Sequence, residues 1–180
     1  MPHATPLPLE TRHLLLIPMT HDFVNRLLAG DKNAYATLGV LPARGWPNAD
    51  TLKILPAIRA NLAKPDARPG FESWLFVHRT NRMPVGDGGF KGPPNEYGVV
   101  DLGYGILEAE RQKGYCTEAA RALIEWAFCQ PGVKLITADC LDTNIASQNV
   151  LQKLGMQQYS QKNGLLFYKL VAQKKPSNTL

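Results

Sequence analysis

Long apolar runs are missing from this chain: near its start Leu14-Leu15-Leu16-Ile17 is halted by Pro18. Such a run falls far short of the roughly 20 residues that cross a bilayer or the roughly 7–15 of a secretory h-region. Neither a membrane partner nor export is expected, and the location that follows is cytoplasmic. Cysteine is sparse, with only Cys116, Cys129 and Cys140, none at C-x-x-C spacing. His3, His13, His21 and His78 form no ligand set with them, which argues against a metal and for reduced thiols.

Blocks of like charge are also lacking. The net charge is +5, yet the only short basic run is Lys174-Lys175. Direct nucleic-acid binding is therefore not expected, and a basic cleft for an anionic ligand accounts for the charge as well. No repeat or low-complexity tract interrupts the 180 residues, and 44% hydrophobic with 19% charged residues is the balance of a soluble globular protein. The length suits one domain over 1–180, with loose ends at 1–8 and 174–180.

The familiar phosphate signatures fail as well. G-x-x-x-x-G-K-[ST] does not occur, and Gly86-Asp87-Gly88-Gly89 runs into Lys91-Gly92-Pro93-Pro94 rather than a helix.

What is there reads as strands early and alternating helices and strands late. HLLLIPM predicts a first strand, HDFVNRLLAGD a short helix closing at Gly30, and ADTLKILPAIRANLAK a second helix interrupted by Pro56. Gly45-Trp46-Pro47 falls in a loop between these helices. SWLFVHRT and MPVGDGGF read as a hairpin, KGPPNEYG as a turn and VVDLGYGIL as the next strand. After a helix from about Tyr115 to Cys129 come a strand at VKLITADCL, a helix at IASQNVLQKL ending at Gly155, and a last strand at GLLFYKLVA. The fold class is α/β or α+β, a mixed sheet with helices on its faces, and the hairpin excludes an all-parallel sheet.

The segment GYGILEAERQKGYC is where chemistry concentrates. Gly103 and Gly105 weaken a strand, for which a bulge or the close approach of a ligand or another backbone is the usual reason. The helix that follows shows a buried face at Ala120, Leu123, Ile124, Ala127 and Phe128, which sets its start at Gly114 to Thr117. A helix start leaves about four N–H groups unpaired and carries roughly half a positive charge. With Arg111 and Lys113 beside it, this is an anion site suited to phosphate. Cys116 lies at that helix start, but no histidine is near it in sequence to make it a nucleophile. Trp46, Trp74 and Trp126 read as core or loop anchors.

Arg111-Gln112-Lys113-Gly114-Tyr115-Cys116 resembles the R/Q-x-x-G-x-G/A pyrophosphate loop of the GNAT superfamily of N-acetyltransferases, with Cys116 departing from Gly or Ala. TEAARALIEWAF after it, DLGYGI before it, NIASQNVLQKLGM downstream and ETRHLLLIPMT at the start are similar to the Rim-type branch that acetylates ribosomal proteins. The resemblance covers most of the chain and implies a central, mostly antiparallel seven-stranded mixed sheet with helices on both faces. It implies acetyl-CoA as cosubstrate and a primary amine as acceptor, on a peptide N-terminus or a small molecule. Gly105, Ile106 and Leu107 would offer backbone hydrogen bonds to the pantetheine arm. Arg111, Gln112, Lys113, Gly114, Tyr115, Cys116 and Thr117 would hold the pyrophosphate, with Asn144 joining the cofactor-binding set.

The same resemblance implies direct attack of the amine without an acyl-enzyme. Asp101 is the first candidate for the base, with Glu72 and Glu96 in reserve. Many relatives place a tyrosine at the position of Leu151 to meet the leaving thiolate, and Ser147 is the substitute here. Asp101 could equally pair with a nearby Arg or meet solvent, and Ser147 and Asn144 are residues that satisfy helix starts. A coenzyme-binding sensor without chemistry is the alternative activity class. The acceptor's identity and the oligomeric state stay open.

Overall fold

The computed structural model describes residues 4–172. Its elements run β1 (Leu9–Glu10), β2 (Leu14–Pro18), α1 (His21–Leu28), α2 (Ala49–Leu62), β3 (Ser73–His78), β4 (Pro84–Phe90), β5 (Val99–Ile106), α3 (Tyr115–Phe128), β6 (Leu135–Leu141), α4 (Ile145–Lys153), β7 (Gln157–Lys162) and β8 (Leu165–Val171). Short 3-10 turns lie at Ala34–Leu38 and Glu108–Glu110. The expected loose end at 174–180 lies outside the described residues. Among the described residues no helix is long and apolar enough to cross a membrane.

The strands form one sheet in the order β1-β2-β3-β4-β5-β6-β8-β7. Every pairing is antiparallel except β5 with β6, which α3 joins by the crossover a parallel pair requires. This is the mixed, mostly antiparallel sheet the sequence predicts, with eight strands rather than seven. Beyond the six strands read from the sequence it holds the two-residue β1, paired with β2 at Leu9↔Leu16 and Glu10↔Leu15, and β7.

Two cores follow from strand alternation. One face carries Leu14, Leu16, Trp74, Phe76, Val100 and Leu102 against Ala119, Ala120, Leu123 and Leu151 of α3 and α4. The other carries Ile17, Leu75 and Val77 against Phe23, Val24, Leu55 and Ile58 of α1 and α2. The starts of α1 and α2 have side-chain caps: Thr20 accepts from Phe23 N–H, and Asn48 from Asp50 and Thr51 N–H.

The expected interruption at Pro56 does not occur, and α2 runs through it. Pro56 cannot donate to the Leu52 carbonyl, but Leu52 is exposed and water can serve that carbonyl. The final segment holds two strands, because the polar QQYSQK stretch pairs with β8 while staying exposed along its length.

Candidate active site

The β5/β6 ladder lasts for three residue pairs, Val99↔Leu135 to Asp101↔Thr137. Past it β5 continues to Ile106 against β4, while β6 continues to Leu141 against β8. The two central strands therefore separate in the middle of the sheet. Between them lies a cleft of about 260 Å³ lined by residues including Lys91, Gly103, Tyr104, Asp139, Asn144 and Ser147.

Antiparallel ladders alternate the direction of their main-chain groups. Leu107 N–H donates to the Val85 carbonyl at 2.9 Å and Lys91 N–H to the Asp101 carbonyl at 3.0 Å. These bonds turn the main chain of Asp101, Gly103, Gly105 and Leu107 toward β4. Leu102, Tyr104 and Ile106 turn theirs toward β6, and beyond Asp101 no strand is there to receive them. Of the expected main-chain donors Gly105, Ile106 and Leu107, only Ile106 turns its main chain toward the cleft, and Tyr104 turns the same way. Nor does β5 bulge at its glycines, since its register with β4 is continuous from Leu102 to Ile106. The open groups come from strand separation instead.

The loop after β5 leads into the helix start expected to hold an anion. Gly114 takes the N-cap of α3 with φ 82°, and Gln112 is also left-handed at φ 63°. No side chain caps this helix, so the amides of its first turn stay open to a ligand. Arg111 is exposed beside them, and Lys113 pairs with Glu110 at 2.9 Å. Tyr115 turns inward to contact the rings of His13 and His78, with centroids at 5.9 and 5.8 Å. Glu118 locks the β1–β2 turn to this helix start, accepting from Thr11 Oγ1 at 2.6 Å and His13 N–H at 2.7 Å. Burial pushes the Cys116 thiol up to about 12, which removes it as a nucleophile near neutral pH.

Asp101 stands where the strands part. Its Oδ2 lies 3.2 Å from Lys91 Nζ, which also reaches Asp139 Oδ1 at 2.9 Å. Its Oδ1 is buried without a partner. Burial raises the Asp101 pKa, Lys91 pulls it back, and Asp139 adds a smaller upward push. Glu72 is buried too and raised by desolvation to about 6, with Asn61 Nδ2 at 3.4 Å. Glu72 precedes β3, however, so β4 and β5 separate it from the cleft. Glu96 is exposed in the turn before β5, outside the cleft.

On the cleft's other wall, Asn144 caps α4 by accepting from Ser147 N–H at 3.0 Å. Ser147 follows on the first turn, and Leu151 one turn later is wholly buried in the core. Three features escape sequence reasoning. Tyr104 reaches over from β5 with its hydroxyl 3.4 Å from the Ser147 carbonyl. Lys91 bridges two carboxylates that are distant in sequence. Asp87 is buried facing α2, accepting from Trp46 Nε1 at 2.6 Å and Thr51 Oγ1 at 2.7 Å. Only the alternation of Tyr104 between two glycines was available as a signal.

A family model described as the acetyltransferase (GNAT) domain matches residues 13–157. The Bacillus subtilis protein named uncharacterised N-acetyltransferase YjdG is 38% identical over 147 residues, covering 82% of this chain and 88% of that protein. A ribosomal-protein-S5-alanine acetyltransferase from Vibrio fischeri superposes with a TM-score of 0.59 at 18% identity, over 92% of this chain and 97% of that one. RimL, a ribosomal L7/L12 alpha-N-protein acetyltransferase solved with coenzyme A, superposes at 0.64 and 16% identity, over 92% and 98%. At those identities the likeness to the solved structures is one of fold.

Proposed function

Because the chain belongs to the GNAT family and is an acetyl-CoA-dependent N-acetyltransferase, we propose that it acetylates a primary amine, on a peptide N-terminus or a small molecule, by direct attack in a ternary complex. The observation that carries this reading is the separation of β5 from β6 beside an uncapped helix N-terminus. The α3 amides and Arg111 take the pyrophosphate. The pantetheine arm lies along the opened edge of β5, using main-chain groups of Tyr104 and Ile106, and Gly103 and Gly105 leave the adjoining surface bare. The resemblance of ETRHLLLIPMT and NIASQNVLQKLGM to the Rim-type branch puts peptide N-termini beside small amines as the acceptors to test.

Asp101 is the base in this scheme. The acceptor arrives as an ammonium, gives its proton to the carboxylate directly or through water, and attacks the thioester carbonyl carbon. An N–C bond forms, the C–S bond breaks with its electron pair going to sulfur, and the nitrogen gives up its second proton to water as the amide forms. Lys91 keeps Asp101 ionised against the effect of burial. Main-chain N–H groups facing the cleft offset charge on the carbonyl oxygen, and holding amine and thioester together supplies much of the rate. Ser147 stands in the cleft wall as a hydroxyl near the departing sulfur.

Thiol release from acetyl-CoA should depend on added amine across a panel of small amines and N-terminal peptides, and the panel identifies the acceptor class. Coenzyme binding with no turnover on any member would contradict the proposal.

A further inference from the structure

We propose that the phenol of Tyr104 is the hydrogen-bond donor to the departing coenzyme thiolate, supplied from β5 rather than from α4. This rests on the reading of the β5/β6 cleft as the thioester site. The α4 position that carries a tyrosine in many GNAT relatives is Leu151 here, wholly buried in the apolar core and unable to donate. Tyr104 lies across the cleft from α4, and its hydroxyl comes within 3.4 Å of the Ser147 carbonyl on that helix's first turn. A bond of that length is at the weak end for an O–H donor, and a carbonyl inside a helix already accepts from the ladder. The phenol proton is thus lightly committed and free for a stronger acceptor. A thiolate is one.

Around the ring stand the Cys116 thiol of α3, the Cys140 thiol of β6, the Tyr168 phenol of β8 and Ser147 of α4. Lys91 and Asp139 line the same cleft, with Lys91 held by Asp101 and Asp139, and burial raises the Tyr104 pKa well above the ordinary 10. The residue stays protonated, and so a donor, throughout the working range. As the amine nitrogen bonds to the carbonyl carbon and the C–S bond breaks, the sulfur takes the electron pair and Tyr104 O–H shares its proton with that charge. The thiolate leaves and is protonated by solvent, while the ammonium's first proton has gone to Asp101 and the second leaves the nitrogen to water as the amide forms.

Tyr104→Phe keeps the ring and its packing and removes only the hydroxyl. It should lower kcat about 100-fold, the order seen when a single preorganised donor is deleted, while coenzyme A affinity and thermal stability stay at wild-type values. Ser147→Ala should cost less in kcat. Ring-fluorinated tyrosines at position 104, whose phenols ionise at lower pH, should bring an alkaline limb into the kcat profile that moves down as fluorination increases; a merely structural ring would not do this. A Tyr104→Phe enzyme with wild-type kcat, or a loss that follows coenzyme affinity alone, would overturn the assignment while leaving amine-dependent turnover by the wild type, and with it the wider proposal, intact. A wild type without such turnover would remove both.

Discussion

At Gly103 and Gly105 an added Cβ would meet nothing within 4 Å, whereas at Gly89 it would collide with the Glu72 carbonyl and at Gly86 with the Gly105 carbonyl. The glycines of β4 are thus packing requirements and those of β5 are vacant surface. Gly89→Ala should destabilise the fold by about 2–3 kcal/mol, read by denaturant unfolding. Gly103→Ala should leave stability within about 0.5 kcal/mol and slow turnover by intruding where thioester and amine meet. Asp101 raises a question of pH. Its pKa lies above the ordinary 3.8 because of burial, and a base must be ionised, so the rate should fall with acid through a pKa above that value. Asp101→Asn should abolish this limb and most of kcat/KM; an unchanged profile would assign the base elsewhere. The sequence marks both β5 glycines and Asp101 as exceptional. It could not show that Lys91 and Asp139 close on Asp101, because that cluster joins three strand ends separated by as many as 48 positions.

At the scale of elements, amphipathic segments were readable and polar ones were not. Helix α3 buries Ala119, Ala120, Leu123, Ile124 and Ala127, close to the face its spacing predicts. Strand β7, fully exposed with no apolar alternation, carried no pattern to read and exists because β8 offers it an edge. Neither segment alone marks the parting of β5 from β6, since strand separation is a property of two partners and not of one segment. Helix α4 shows how an element positions chemistry. Asn144 accepts from Ser147 N–H and so sets the helix's first turn against the cleft. Asn144→Ala should cost about 1 kcal/mol of stability and lower kcat by displacing Ser147, and both are lost together if the cap is the common cause. Wild-type kcat in a destabilised variant would separate the cap from the site.

For the molecule as a whole, the two faces of the sheet divide the labour: α3 and α4 bring the uncapped helix start and the cleft wall, and α1 and α2 cover the side on which Glu72 and Asp87 are buried. Those carboxylates make stability depend on pH. The folded state holds the Glu72 proton more tightly than the unfolded chain, so stability is fully present below the ordinary 4.5 and declines as pH rises through about 6. That shift corresponds to about 2 kcal/mol, and Glu72→Gln should remove it, seen as a flatter unfolding free energy between pH 4 and 7. The central claim is that coenzyme A lies along the opened edge of β5 with its pyrophosphate on α3, and amide hydrogen exchange followed by NMR with and without coenzyme A tests it most directly. The account predicts slowed exchange at Tyr104 and Ile106 and at Tyr115, Cys116 and Thr117, with Gly103 and Gly105, already bonded to β4, little changed. Coenzyme binding that leaves those five amides unaltered would contradict it.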